Sequence, residues 1–227
     1  MSTLPQPSRV TRTKSAARAS YDRLSRWYDL ISGSGERRLA QVALEKLAPQ
    51  AGARVLEIGP GTGHALVWLR RSVGAAGAVF GVDISAGMLA QARQRLEKDH
   101  PRLSFNLVQG DGAWLPFRDA SQEALFLSFT LELFDTPEIA PLLDECLRVL
   151  KTGGRIAVVS LALGEKPRWT VRLYEWFHAH FPNAVDCRPI HARLALEANG
   201  FEVLDYQARQ LWGLPVEIVI AKSTVTA

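Results

Sequence analysis

The chain has 227 residues, enough for one α/β domain with a full core and too short for two ordinary ones, so one domain with an N-terminal arm is expected. Hydrophobic residues make up 47% and charged residues 22%, and no apolar run reaches the length of a transmembrane helix, which argues against a helical membrane span. The net charge of +4 is uneven: residues 1–40 carry eight basic and three acidic side chains, a net of +5, and the remainder carries 19 against 20, a net of −1. Such a basic arm suits nucleic acid, anionic lipid or plain solvent, and composition does not choose among them. The arginines near the start have no apolar h-region after them, and Cys146 and Cys187 are too few for a disulfide framework, so a reducing cytoplasm is expected.

The first dozen residues are rich in proline and serine and read as a disordered tail, drawn over residues 1–14. From about Lys14 a helix is expected, with Tyr21, Leu24, Trp27, Tyr28 and Ile31 on one face, ended by Gly33 and Gly35. A second amphipathic helix runs through Leu39, Val42, Ala43 and Leu47 and stops at Pro49 and Gly52. Together they make a helical cap over 15–50. Beyond it, short apolar strands at about 53–58, 79–83, 103–108, 124–130 and 155–161 alternate with helices at about 63–72, 86–98 and 137–150, the pattern of a parallel sheet. A helix near 190–198 and strands at about 201–207 and 216–222 follow. The close spacing of the last two strands suggests that the final one runs antiparallel.

Glu57-Ile58-Gly59-Pro60-Gly61-Thr62-Gly63 stands between the first strand and a helix that starts near His64. Glycines serve where φ is positive or where a ligand approaches the main chain. The spacing is G-x-G-x-G, and His64 takes the place of the third glycine of the dinucleotide fingerprint, so that fingerprint is not met. Glu57 would repel a pyrophosphate but suits a ligand with an ammonium and a sulfonium. Asp83, ending the second strand, is placed to accept from ribose hydroxyls, and Asp111, after the third, from an adenine amino group. All three carboxylates fall at carboxyl ends of expected parallel strands, where open α/β sheets bind ligands.

At these residues the chain resembles the class I methyltransferases that use S-adenosylmethionine. Within them it is similar to the ubiquinone and menaquinone biosynthesis methyltransferases and the bacterial phosphatidylethanolamine N-methyltransferases. That narrower resemblance rests on Tyr21-Asp22-Arg23-Leu24-Ser25-Arg26-Trp27-Tyr28-Asp29-Leu30 and Arg148-Val149-Leu150-Lys151-Thr152-Gly153-Gly154. The class-level resemblance implies a Rossmann-like, doubly wound α/β fold of seven strands in order 3-2-1-4-5-7-6 with the last antiparallel. It also implies that Gly59, Gly61 and Gly63 hold the methionine end of the cofactor, Asp83 the ribose and Asp111 the adenine. The full set expected around the cofactor is Tyr21, Tyr28, Glu57, Gly59, Gly61, Gly63, Asp83, Ile84, Met88, Asp111, Gly112 and Ser128.

The reaction so implied is an in-line displacement on the sulfonium methyl, to which a protein contributes chiefly orientation and exclusion of water. An acceptor that is a phenol, an activated ring carbon or an amine must lose a proton, and His64 and Tyr28 are the candidate proton-handling residues. Each has a plain packing role as its alternative, and Tyr21 and Tyr28 either close over the cofactor or fill the cap's core. A substrate lid is expected over about 162–190, where Trp169, Leu173, Trp176, Phe177 and His180 have helical spacing beside Tyr174 and Phe181. His178, His180, Asp186, Cys187 and His191 match no known ligand spacing, and no metal is expected. The acceptor is expected to be a small amphipathic or aromatic molecule, quinol-like or a phospholipid headgroup. The N-terminal helix then either touches an anionic membrane surface or packs as a cap. The competing functions are a cofactor sensor without turnover and a nucleic-acid methyltransferase. Ser128-Phe129-Thr130-Leu131 lacks the Asn/Asp-Pro-Pro-aromatic motif of nucleic-acid amino methylation, so nucleic acid is not the expected partner.

Overall fold

The near-continuous apolar runs of the middle strands bury both faces of the sheet they form, as parallel strands covered by helices require. The computed structural model describes residues 7–10, 12–26, 28–31, 33–99, 106–163 and 187–224. Its strands are β1 (Arg54–Ile58), β2 (Ala78–Asp83), β3 (Asn106–Gln109), β4 (Gln122–Ser128), β5 (Leu150–Leu161), β6 (Phe201–Leu211) and β7 (Leu214–Ser223). They make one seven-stranded sheet in the order β3-β2-β1-β4-β5-β7-β6. β7 is antiparallel to both β5 and β6, and the pairs among β1 to β5 are parallel. The expected order and the antiparallel last strand are both present.

The helices are α1 (Lys14–Leu24), α2 (Tyr28–Ile31), α3 (Gly33–Leu47), α4 (His64–Val73), α5 (Ala86–Asp99), α6 (Thr136–Val149) and α7 (Ala192–Ala198). Leu39, Leu44, Leu66, Leu69 and Leu96 from α3, α4 and α5 pack on Val55 and Phe126 on one face of the sheet. Leu142, Leu143, Cys146 and Leu196 from α6 and α7 pack on Leu56, Leu125 and Val158 on the other. A doubly wound domain results, and every parallel strand delivers its carboxyl end to one edge. Among the described residues no helix is long and apolar enough to cross a membrane.

Several expectations need correction. The single N-terminal helix is broken: Ser25 closes α1, its N–H bonding Tyr21 O and its hydroxyl donating to Asp22 O. Gly33 opens α3 at φ 66° instead of ending the helix before it. The tail drawn over 1–14 is too long, because Lys14 already belongs to α1 and Ser8, Arg9 and Val10 bond Arg188 and Asp135. β4 ends at Ser128, not 130, because Phe129 takes φ 51° and a 3₁₀ turn, Leu131–Leu133, follows. β6 and β7 run further than expected and meet in a two-residue turn at Trp212 and Gly213. Trp27, the first residues of the expected 103–108 strand and the body of the lid, 164–186, lie outside the described residues. The ends of that lid are joined by a parallel bridge between Ala162 and Ile190.

Glu132 is the least expected residue of the core. It is fully buried beyond β4, and one carboxyl oxygen accepts from Leu161 N at 3.1 Å while the other has no hydrogen-bond partner. Burial pushes this carboxyl up to about 8. A carboxyl whose folded pKa is raised stabilises the fold fully below its unfolded value, and that contribution is lost as pH rises through the folded one. Stability should therefore fall between about pH 4.5 and 8. The variant Glu132→Gln should flatten that fall and melt above wild type at pH 8.5, by about 2–4 °C per kcal/mol recovered; midpoints that track wild type at every pH would contradict it.

Candidate functional site

The parallel register sets Ile58 against Val82, so the turn leaving β1 emerges level with the end of β2. Gly59, Gly61 and Gly63 all take positive φ there, 69°, 52° and 84°, which L side chains adopt only at a cost. Gly59 N donates to Val82 O at 2.8 Å and Gly61 N to Asp83 Oδ2 at 3.1 Å. A Cβ on Gly59 would stand 2.5 Å from Thr130 Oγ1, and one on Gly63 2.8 Å from Ala92 Cβ. At Gly61 a Cβ would meet nothing within 4 Å. Gly59 and Gly63 are thus glycine for packing as well as for φ, whereas Gly61 leaves its space to the pocket.

One pocket is lined by Tyr21, Tyr28, Gly59, Gly61, Asp83, Ile84, Met88, Asp111, Gly112 and Ser128, ten of the twelve residues expected around a cofactor. Glu57 and His64 instead line a second cavity between α3 and α4, which shares Tyr28, Gly59, Gly61, Ser128 and Phe129 with the first. Gly63 lines neither; it is the N-cap of α4. The carboxylates of this edge differ in setting. Glu57 is buried, its Oε2 lacks a partner, and burial followed by the charge of Asp83 pushes it up to about 8. Burial likewise raises Asp83, to about 6, against the N–H donors of Ser85 and Gly61. Asp111 accepts from Ala113 N at 3.0 Å and pairs with Lys14 Nζ at 2.5 Å.

The helical cap is tied to this edge by its own carboxylates. Asp22 Oδ1 accepts from Ser85 Oγ at 2.6 Å and Gly87 N at 2.9 Å, and these bonds hold its pKa below the usual carboxylate value. Asp29 accepts from Thr62 Oγ1 at 2.5 Å, lies 3.3 Å from His64 Nε2 and pairs with Arg95. Although burial alone would raise it, the Thr62 and Arg95 hydrogen bonds keep Asp29 low. Burial, then the Arg95 charge, lower His64 against the pull of Asp29, which favours the neutral imidazole,.

Sequence reasoning missed Val10, Arg12, Lys14 and Ala17, which also line the pocket. Lys14 bridges Asp111 and Glu138, the latter at 2.9 Å, and Arg9 grips Asp135, the N-cap of α6, at 2.5 Å. Their only sequence signals were the excess of basic residues and Thr13, which caps α1 by accepting from Ala16 N. Phe134, Glu138 and the left-handed Phe129 on the β4 side were missed as well. His178, His180 and Asp186 lie outside the described residues.

Residues 55–154 match the family model of a methyltransferase domain. Demethylmenaquinone methyltransferase of Clavibacter sepedonicus is 38% identical over 154 residues, covering 66% of this chain and 59% of that protein. The chain resembles the class I S-adenosylmethionine-dependent methyltransferases. It spans less than two thirds of the length of the first curated relatives it matches. Among solved structures, the [4+2]-cyclase SpnF superposes with a TM-score of 0.76 at 19% identity over 100% of both chains. Magnesium protoporphyrin IX methyltransferase of Synechocystis, solved with S-adenosylhomocysteine, gives 0.71 at 17% identity over 93% of this chain and 100% of that one. The fold is therefore the Rossmann-like methyltransferase fold.

The two kinds of glycine separate by mutation. Gly63→Ala, which meets Ala92 and a left-handed φ together, should lose about 2–4 kcal/mol. Gly61→Ala meets only the φ and should lose about 1–2 kcal/mol. Urea unfolding of the two variants side by side checks the order, and equal losses would show that Gly61 is also packed.

Proposed function

We propose that the chain transfers a methyl group from S-adenosylmethionine to a small amphipathic or aromatic acceptor. One observation carries the reading: at a single sheet edge Gly61, whose missing side chain leaves open space, lines both the pocket holding Asp83 and Asp111 and the adjoining cavity where Glu57 keeps an oxygen without a partner. The residues fit the cofactor's chemistry. The glycine turn would hold the methionine end, Glu57 its ammonium, Asp83 the ribose hydroxyls and Asp111 the adenine amino group, with Tyr21, Tyr28, Ile84, Met88, Gly112 and Ser128 around them. When bound, the cofactor supplies an electrophilic methyl on a sulfonium, with a neutral thioether as leaving group.

The chain's own residues then bind, orient and exclude water. Tyr21 and the α1–α2 cap cover the pocket. His64, neutral and facing the adjoining cavity, is the residue we assign to accept the acceptor's proton, and Tyr28 stands between the two cavities. For the acceptor we favour a quinol-like molecule or a phospholipid headgroup, in keeping with a relative named as a demethylmenaquinone methyltransferase. Cytoplasmic placement beside a membrane suits such an acceptor. A second reading, cofactor binding without methyl transfer, draws support from SpnF, a cyclase with the same fold, since one fold serves many reactions.

Labelled S-adenosylmethionine offered separately with lipid extract, quinol analogues, soluble phenols and amines, and RNA decides between them. Label in the lipid or quinol fraction supports the acceptor proposed; label in RNA overturns it. Cofactor binding with no labelled fraction favours the second reading, and no cofactor binding ends both. The carboxylates add a pH signature. Because Glu57 must give up its proton to face an ammonium, affinity for S-adenosylhomocysteine should rise from pH 6.5 to about 8,. Glu57→Gln should bind about tenfold more weakly at pH 8 and lose that slope in calorimetric titrations; an unchanged slope would remove Glu57 from the site.

A further inference from the structure

The β6–β7 hairpin turns on Trp212 and Gly213, both at positive φ, 51° and 80°. A two-residue turn with this backbone is ordinarily built from Asn, Asp or Gly, because a bulky side chain at its first position is strained. Burial does not offset that strain here. Trp212 is 68% exposed, while the flanking Leu211 and Leu214 are buried in the core. The chain therefore holds a tryptophan in a costly conformation and leaves most of its surface to solvent. Strain of this kind collects at sites of interaction.

The turn also has a meaningful position. β6 is antiparallel to β7 and β7 to β5, so β6 ends at the same sheet edge as β1 to β5, the edge that carries the pocket. Trp212 lies against the start of α3, where a Cβ on Gly33 would be 3.2 Å from its Cζ2. Arg23, Arg26, Arg37 and Arg38, on and between α1 and α3, and Arg209 on the hairpin are all exposed, within or beside the segment whose net charge is +5. A tryptophan pairs an apolar body with an N–H and prefers the headgroup level of a bilayer, and arginines favour anionic lipid.

We propose that Trp212 and these arginines form a surface that docks on an anionic lipid bilayer, bringing the pocket's edge to the membrane. This extends the proposed function by naming the bilayer as the source of the acceptor, and it rests on the hairpin tip together with the exposed arginines of α1, α3 and the hairpin. The full chain should sediment with vesicles of phosphatidylcholine mixed with phosphatidylglycerol and far less with phosphatidylcholine alone, and high salt should release it. Trp212→Asn should bind the mixed vesicles at least about fivefold more weakly. It should keep its affinity for S-adenosylhomocysteine and melt at or above wild type, since Asn tolerates the left-handed backbone.

Undiminished vesicle binding by that variant, or no preference of the wild type for anionic vesicles, overturns the proposal. So does a concentration-dependent dimer abolished by Trp212→Asn, which would give the tip to a second copy of the chain. Vesicle binding without cofactor binding would leave this surface standing while removing the methyl-transfer reading, and the reverse result would do the opposite.

Discussion

The turn after β1 is fastened to β2 rather than to its own strand, and the site is organised around that bond pattern. Gly59 N reaches Val82 O and Gly61 N reaches the Asp83 carboxylate, so the turn keeps its height only while β1 and β2 hold their register. From the same turn α4 starts at Gly63 without a side-chain cap, packed so closely on Ala92 of α5 that no larger residue fits. Arg95 of α5 then donates to Thr62 O and pairs with Asp29 of the cap. One backbone conformation, which glycine adopts without strain, thus sets the floor of the pocket, the start of a helix and the anchor of its cover,.

That arrangement gathers negative charge where water is scarce. Glu57 and Asp83 are both buried, and each is raised first by burial; the charge of Asp83 then raises Glu57 further, and Asp22 adds to Asp83. Burying a carboxyl without a full set of donors is costly, and a core built for stability alone would put apolar side chains there. Glu132 is a parallel case on the far side of β4, raised by burial with one oxygen unpartnered. The difference lies in surroundings: Glu57 borders a cavity that a ligand can enter, whereas Glu132 caps the free N–H of Leu161.

The alternation of strands and helices and the antiparallel end were legible in short-range signals, while the strand order came from the family resemblance; ten of the twelve residues expected around a cofactor line the pocket. Apolar runs mark strands, and the G-x-G-x-G turn and the acids at strand ends mark the edge. What sequence reasoning missed depends on contacts far apart in the chain. Nothing local in Lys14 predicts Asp111, 97 residues away, and nothing in Arg9 predicts Asp135, 126 residues away. The break after Leu24 was hidden because Ser25 ends the helix through its own N–H and hydroxyl, within a sequence whose apolar spacing runs on to Ile31. Gly63 was assigned to the ligand along with its neighbours, and only its distance to Ala92 shows that it also serves helix packing.

The cover over the pocket is held unevenly, and this follows from where its charges sit. Arg9 is largely exposed, and an exposed ion pair adds little stability and weakens in salt,. Lys14 is more sheltered and divides its charge between Asp111 and Glu138. Arg188 is fully buried, donating to Ser8 O, Thr136 Oγ1 and Phe134 O, so it joins the N-terminal segment, the start of α6 and the far end of the lid region at one guanidinium. Breaking the Arg9 contact costs little, whereas removing Arg188 would take the donors from Ser8 O, Phe134 O and Thr136 Oγ1 together and leave a gap where a fully buried guanidinium had been,. The cover is therefore gripped at two ends: by Asp22 and Asp29 at the glycine turn and α5, and by Arg188 at the N-terminal segment, where it meets the segment expected to bear on the acceptor.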